Sequence, residues 1–155
     1  SWHLALYAMV LADQSDPHVN LDRVIRMLLI HDLVEIDVGD VPIHSANGQA
    51  HASDETVKAE QAAAARIFGL LPPDQAATFH ALWDEFEAAV TPDAVFAKSL
   101  DRVQPVMANL QSGGGTWITY NVTAEQLESR VGSKIARGAP RLWGWVKAQT
   151  RAFFD

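Results

Sequence analysis

The sequence predicts an all-α protein. Apolar residues recur at spacings of three and four in nearly every segment, and no stretch of four or more residues alternates as a half-buried strand would. Proline, glycine and capping residues separate those segments into helix-sized pieces. With 155 residues, 48% of them hydrophobic, the chain is long enough for one domain with a sizeable core and too short for two of ordinary size. A single compact multi-helix bundle over residues 1–155 is expected.

The elements follow in order. A first helix over 2–13 is stopped by Ser15, Asp16 and Pro17. A second runs over 20–37, with Asn20 as N-cap and Gly39 beyond its end. Residues 40–52 carry Pro42, Asn47 and Gly48 and read as a loop. Ser53 with Thr56 opens a third helix over 55–68, which Gly69 closes. Pro72, Pro73 and Asp74 start a fourth helix reaching about residue 89. Thr91, Pro92 and Asp93 start a fifth, carrying Val95, Phe96, Leu100, Val103 and Met107 and ending at Gly113, Gly114 and Gly115. Thr123 caps a sixth helix through residue 136, Gly138 breaks it, and Pro140 begins a last one bearing Leu142, Trp143, Trp145 and Val146.

Composition excludes several kinds of chemistry. Without cysteine there are no disulfides, thiolate nucleophiles or Cys-type zinc sites, so a metal must be held by His, Asp, Glu, backbone or water. A net charge of -7 without a Lys/Arg cluster argues against a nucleic acid polymer as partner, because that affinity comes largely from phosphate neutralisation. A small phosphorylated ligand remains compatible, since a bound cation can supply positive charge. No apolar run of about 18 residues and no secretory leader pattern is present, so a cytoplasmic protein without a membrane span is expected. The chain opens at Ser1 in mid-helix style without Met, and a preceding segment is expected.

His31-Asp32 is the most informative pair. It interrupts the apolar stretch 24–36, among Leu28, Leu29, Ile30, Leu33 and Val34, where an ionised carboxylate is costly unless something neutralises it. A divalent cation would do so, and imidazole with carboxylate suits borderline and hard ions. The further donors at apolar, helix-like positions are His3 and Asp101. On a helix Glu35 shares a face with His31 and Asp32, where a carboxylate can orient or deprotonate water at the metal. Asp40, just past Gly39, is a second candidate for proton work. Pro105 follows Asp101 by four residues, so the helix should kink or loosen at that ligand.

Simpler readings stand beside these. His3 alone reads as a core histidine, Asp101 as an ion-pair partner of Lys98 or Arg102, and Glu35 and Asp40 as solvated helix-end charges. His18, His44, His51 and His80 read as surface residues, with a second metal held by His44 and His51 left open.

In order, His3, His31-Asp32 and Asp101 give an H...HD...D pattern that resembles the HD-domain metal-dependent phosphohydrolases. His31-Asp32-Leu33-Val34-Glu35 followed by Gly39-Asp40-Val41-Pro42 resembles the HDxxE and GDxP signature of the 5'-deoxynucleotidase branch. The resemblance implies an HD-domain bundle in which His3, His31, Asp32 and Asp101 ligate one divalent ion (Mn, Co, Zn, Fe, Ni or Mg), with Glu35 and Asp40 as the catalytic carboxylates. It implies hydrolysis of deoxyribonucleoside 5'-monophosphates to deoxynucleoside and phosphate, and a homodimer. The family's phosphate-binding arginine lies ahead of its first histidine, outside this sequence, which leaves Lys58 and Lys98 as the cations for the substrate. Hydrolysis of another nucleotide phosphoester, and a non-catalytic metal- or nucleotide-binding module, are the alternatives.

Overall fold

The computed structural model describes residues 1–45 and 53–154, and among these every regular element is a helix. The elements are α1 (Trp2–Val10), α2 (Leu21–Ile30), α3 (Glu35–Val38), α4 (Asp54–Phe68) and α5 (Pro73–Ala88), then α6 (Pro92–Gln111), α7 (Thr116–Thr119), α8 (Ala124–Leu127), α9 (Ser133–Gly138) and α10 (Pro140–Phe154). None of the described helices is long and apolar enough to cross a membrane.

Local chemistry explains most boundaries. Asn20, Ser53, Thr91 and Thr123 each accept a hydrogen bond from the backbone N–H three residues on, satisfying a donor that the first helical turn leaves orphaned. Gln126 returns a bond to the Thr123 N–H, completing a capping box. Pro73 and Pro92 occupy first positions, where a missing N–H costs nothing. Gly39, with φ of 77°, turns the chain after α3.

Three expectations change. The helix expected over 20–37 ends at Ile30, and residues His31–Val34 form a 3-10 turn before α3. The helix expected over 123–136 is divided by a π-helical turn, Glu128–Gly132, into α8 and α9. The first helix stops at Val10, with a 3-10 turn over Ala12–Gln14. In each case apolar periodicity marked the right segment, but a change of helical pitch preserves the buried stripe and leaves no composition signal. α6 runs through Pro105 as one helix, and Pro105 has no N–H to donate to the Asp101 carbonyl.

Two apolar clusters make the core. The first gathers α1, α2, α4, α5 and the first half of α6, with Val24, Met27, Leu28, Trp83, Phe86, Phe96 and Leu100 nearly or wholly buried. The second gathers the other half of α6 with α7, α8, α9 and α10, around Val103, Val106, Trp117, Leu127, Ile135 and Val146. Removing a Leu or Phe side chain from water in this way contributes roughly 1.5–3 kcal/mol each. The long helix α6 belongs to both clusters, and the functional residues lie where it passes from one to the other.

Candidate metal and catalytic cleft

A cleft of about 390 Å³ opens along α6 between the two clusters. Its walls include His31 and Asp32 from the 3-10 turn, Glu35 from α3, Asp40 and His44 from the following loop, Glu60 from α4, and Lys98, Asp101 and Arg102 from α6. The 3-10 turn matters here. At three residues per turn Asp32 stacks on Glu35 and His31 on Val34, and all four line the cleft, the second pair from buried positions.

His31 is the pivot. Its Nδ1–H donates to the Leu28 carbonyl at 2.9 Å, because a carbonyl can only accept. That bond leaves Nε2 as the lone-pair nitrogen of the neutral ring. Nε2 lies 2.7 Å from Asp32 Oδ1 and 3.3 Å from Asp101 Oδ1, yet makes a well-aligned hydrogen bond to neither. The ring itself is 7% exposed and packs on Phe86 at 4.7 Å. Burial pulls the His31 pKa down, but the contacts and charges of Asp101 and Asp32 outweigh it and lift the value to about 9. Burial would raise both carboxyls, but His31 holds them below the usual range, with Ser1 Oγ, 3.0 Å away, assisting at Asp32.

This donor set fits a divalent cation in its chemistry. Without a metal, the proton that the raised pKa keeps on the His31 ring draws Nε2 and the two carboxylates together, and a divalent cation can take that proton's place among the same donors. It is incomplete as a coordination sphere: among the described residues no three such side chains stand in ligating arrangement, and His31, Asp32 and Asp101 number fewer than the four donors of a closed site.

His3 is not among them. Ser1 faces Asp32, and two residues advance about 200° around a helix, so α1 points His3 away from the cleft. Its ring packs edge-on against Tyr7 at 4.8 Å, on the wall of a separate apolar groove with Val103, Met107 and Trp145. Residue spacing could not reveal this, because it depends on how α1 is rotated against α2.

Glu35 is set apart electrically. Burial comes first, then repulsion from Asp32 and Asp40, with a smaller contribution from Asp101, and together they raise its pKa to about 7 against the opposing pull of His31. A carboxyl half-ionised near neutrality can both take and return a proton. Asp40 lines the same cleft.

The cations divide differently from expectation. Lys98 lines the cleft, donating to Glu87 Oε1 at 2.8 Å with its ammonium 4.0 Å over the Phe86 ring. Lys58 is exposed on α4 and lies outside the cleft lining; Glu60, half a turn on, faces it instead. Burial and then Glu87 push the Glu60 carboxyl up, with Lys98 opposing. Arg102, buried, reaches the cleft and places Nη1 3.7 Å from Asp101 Oδ2. His44, read as a surface residue, is half-buried and lines the cleft, while His51, its partner in the second-metal alternative, lies outside the described residues. His18 is exposed, and His80 is half-buried against Phe68 and Trp83. Sequence reading missed Glu60 and Arg102 because each follows ordinary helical periodicity.

Residues 1–143 match the model of the HD domain family. The chain is 33% identical over 110 residues to 5'-deoxynucleotidase HDDC2 of Xenopus laevis, covering 71% of this chain and 51% of the relative. Against the same-named human protein it is 32% identical over 106 residues, 68% of this chain and 48% of the relative. It thus spans about half the length of these curated relatives. A crystal structure described as a predicted metal-dependent phosphohydrolase from Magnetospirillum magnetotacticum MS-1 superimposes with a TM-score of 0.88 at 45% identity, over 98% of this chain and 75% of that one. With the helical cleft built around His31-Asp32, these matches make the chain a member of the HD domain family.

Proposed function

We propose that the protein is a metal-dependent phosphohydrolase that converts deoxyribonucleoside 5'-monophosphates to deoxynucleoside and phosphate. The observation that carries this reading is the buried His31 Nε2 facing Asp32 and Asp101, with a Glu35 carboxyl of pKa about 7 in the same cleft. His31, Asp32 and Asp101 are the residues that would hold one divalent ion. Such an ion supplies Lewis acidity toward a phosphoryl group and lowers the pKa of water toward neutrality.

This chain's own residues supply the rest. Glu35 accepts a proton from the attacking water near neutral pH, and Asp40 is the companion carboxylate for proton transfer to the leaving oxygen. Lys98 and Arg102 offset the phosphate's charge on the α6 side. The names of the relatives support the deoxynucleotide as substrate. The homodimer fits the exposed apolar side chains Trp2, Met9 and Val10 of α1 and Trp145 of α10, which a second copy would cover.

The test is phosphate release from a panel of ribo- and deoxyribonucleoside monophosphates by full-length protein, stripped with chelator and reloaded separately with Mn, Co, Zn or Mg. Metal-dependent release confined to deoxynucleotides is expected. Silence across the panel with metal bound would move the assignment to another phosphoester or a binding role.

A further inference from the structure

His44 and Arg130 meet across 86 residues of sequence, with Arg130 Nη1 3.4 Å from His44 Nδ1. A guanidinium carries donors only, so Nδ1 is the acceptor and the single proton of the neutral imidazole resides on Nε2. Burial first, and then the Arg130 charge, hold the His44 pKa below its ordinary value, keeping the ring neutral. The contact is made by the π-helical turn Glu128–Gly132, whose next residue, Val131, also lines the cleft. Such turns often re-aim side chains at functional sites.

The rest of the cleft is rich in acceptors. Asp32, Glu35, Asp40, Glu60, Glu87 and Asp101 all line it. Its charged donors, Lys98 and Arg102, flank Asp101 on α6. Asn109 and Thr116, two of its uncharged polar residues, bond to each other through Asn109 Nδ2 and Thr116 Oγ1 at 2.9 Å. His44 stands elsewhere. Its neighbour Ile43 packs on the second core cluster with Val106, Trp117 and Val131, whereas His31 stacks on Phe86 of the first. A substrate whose phosphate lies at His31, Asp32 and Asp101 has room to extend its organic part along the cleft toward His44.

We propose that His44, held by Arg130, is a specificity-determining residue whose Nε2–H donates to an uncharged acceptor oxygen on the organic part of a phosphomonoester. It rests on the phosphohydrolase reading above. A neutral donor suits a sugar or base oxygen, since it recognises an acceptor without adding attraction for the phosphate itself. Arg130 acts through His44 as a positioning residue.

The test compares thymidine 5'-monophosphate with phenyl phosphate, whose ring carries no acceptor, using full-length, Mn-loaded protein. His44→Ala is expected to lower kcat/KM for the nucleotide at least tenfold, mainly through KM, and by less than threefold for phenyl phosphate. His44→Gln, which keeps a donor, restores most of the loss, and Arg130→Met shows an intermediate loss with the same substrate bias. Equal losses on the two substrates, or an unchanged nucleotide KM in His44→Ala, would overturn the proposal. Calorimetric binding of the same nucleotide to wild type and His44→Ala reads the contact without turnover. A wild type that releases no phosphate but binds the nucleotide tenfold more tightly than His44→Ala overturns the phosphohydrolase reading alone, whereas equal binding overturns the role of His44.

Discussion

Gly138 is where the packing that positions α6 can be tested most sharply. It ends α9, and a Cβ built on it would lie 2.3 Å from Ser99 Oγ and 2.5 Å from the Val95 carbonyl oxygen, both on α6. Ordinary contact begins near 3.4 Å, so Gly138→Ala drives α9 off α6 by about an ångström. The backbone carbonyl cannot rotate away, and Ser99 is already engaged, 2.8 Å from the Val95 carbonyl and 3.2 Å from that of Lys134. Overpacking of this kind costs about 1–3 kcal/mol. Loss of the Ser99 bond adds about 1 kcal/mol. At roughly 2–4 °C per kcal/mol for a chain of this size, Tm should fall by about 4–16 °C. Urea unfolding measures the same loss as a lower midpoint with unchanged slope. Gly144 on α10 is the control, because nothing lies within 4 Å of its Cβ position. Gly144→Ala should be neutral or stabilising by up to about 1 kcal/mol, as expected when alanine replaces glycine inside a helix. A Gly138→Ala protein melting within 2 °C of wild type would refute the close approach of α9 to α6.

Other outcomes follow from the cleft and its surroundings. Glu35→Gln should lower kcat by about 10²–10⁴-fold while metal content, read by elemental analysis, stays at the wild-type level; unchanged turnover would remove Glu35 from the chemistry. Asp101→Ala should weaken Mn binding in calorimetry by at least tenfold, whereas His3→Ala, whose ring packs on Tyr7 outside the cleft, should leave it unchanged. The reverse ranking would restore His3 as a ligand. At Glu85, burial raises the carboxyl, but Arg23 Nε at 3.0 Å and Thr91 Oγ1 at 2.6 Å bring its pKa below the ordinary value. A depressed folded-state pKa contributes stability above the unfolded pKa that is lost as pH falls through the folded one. Wild type should therefore lose more stability than Glu85→Gln as pH falls from above the ordinary glutamate pKa through the folded-state one, and parallel melting profiles over that range would count against the pairing.

The helical class, the core-facing residues and the caps were legible in the sequence because each depends on neighbours within a turn. Asn20, Ser53, Thr91 and Thr123 cap their own helices, and the apolar positions of α2 are buried as their spacing requires. His31-Asp32 stood out for a similar reason: an unpartnered polar pair in an apolar run signals its own desolvation cost. The rotation of one helix against another is set by side chains far apart in sequence and leaves no local mark. That rotation sends His3 to the Tyr7 groove, brings Glu60 rather than Lys58 to the cleft, and seats Arg130 behind His44. The perturbed Glu35 carboxyl belongs to the same class, because burial and the charges of Asp32, Asp40 and Asp101 act on it only once α6 has carried Asp101 to the 3-10 turn. Local periodicity thus determined which residues are helical and buried, while long-range packing decided which polar groups share a space and therefore what chemistry they can perform.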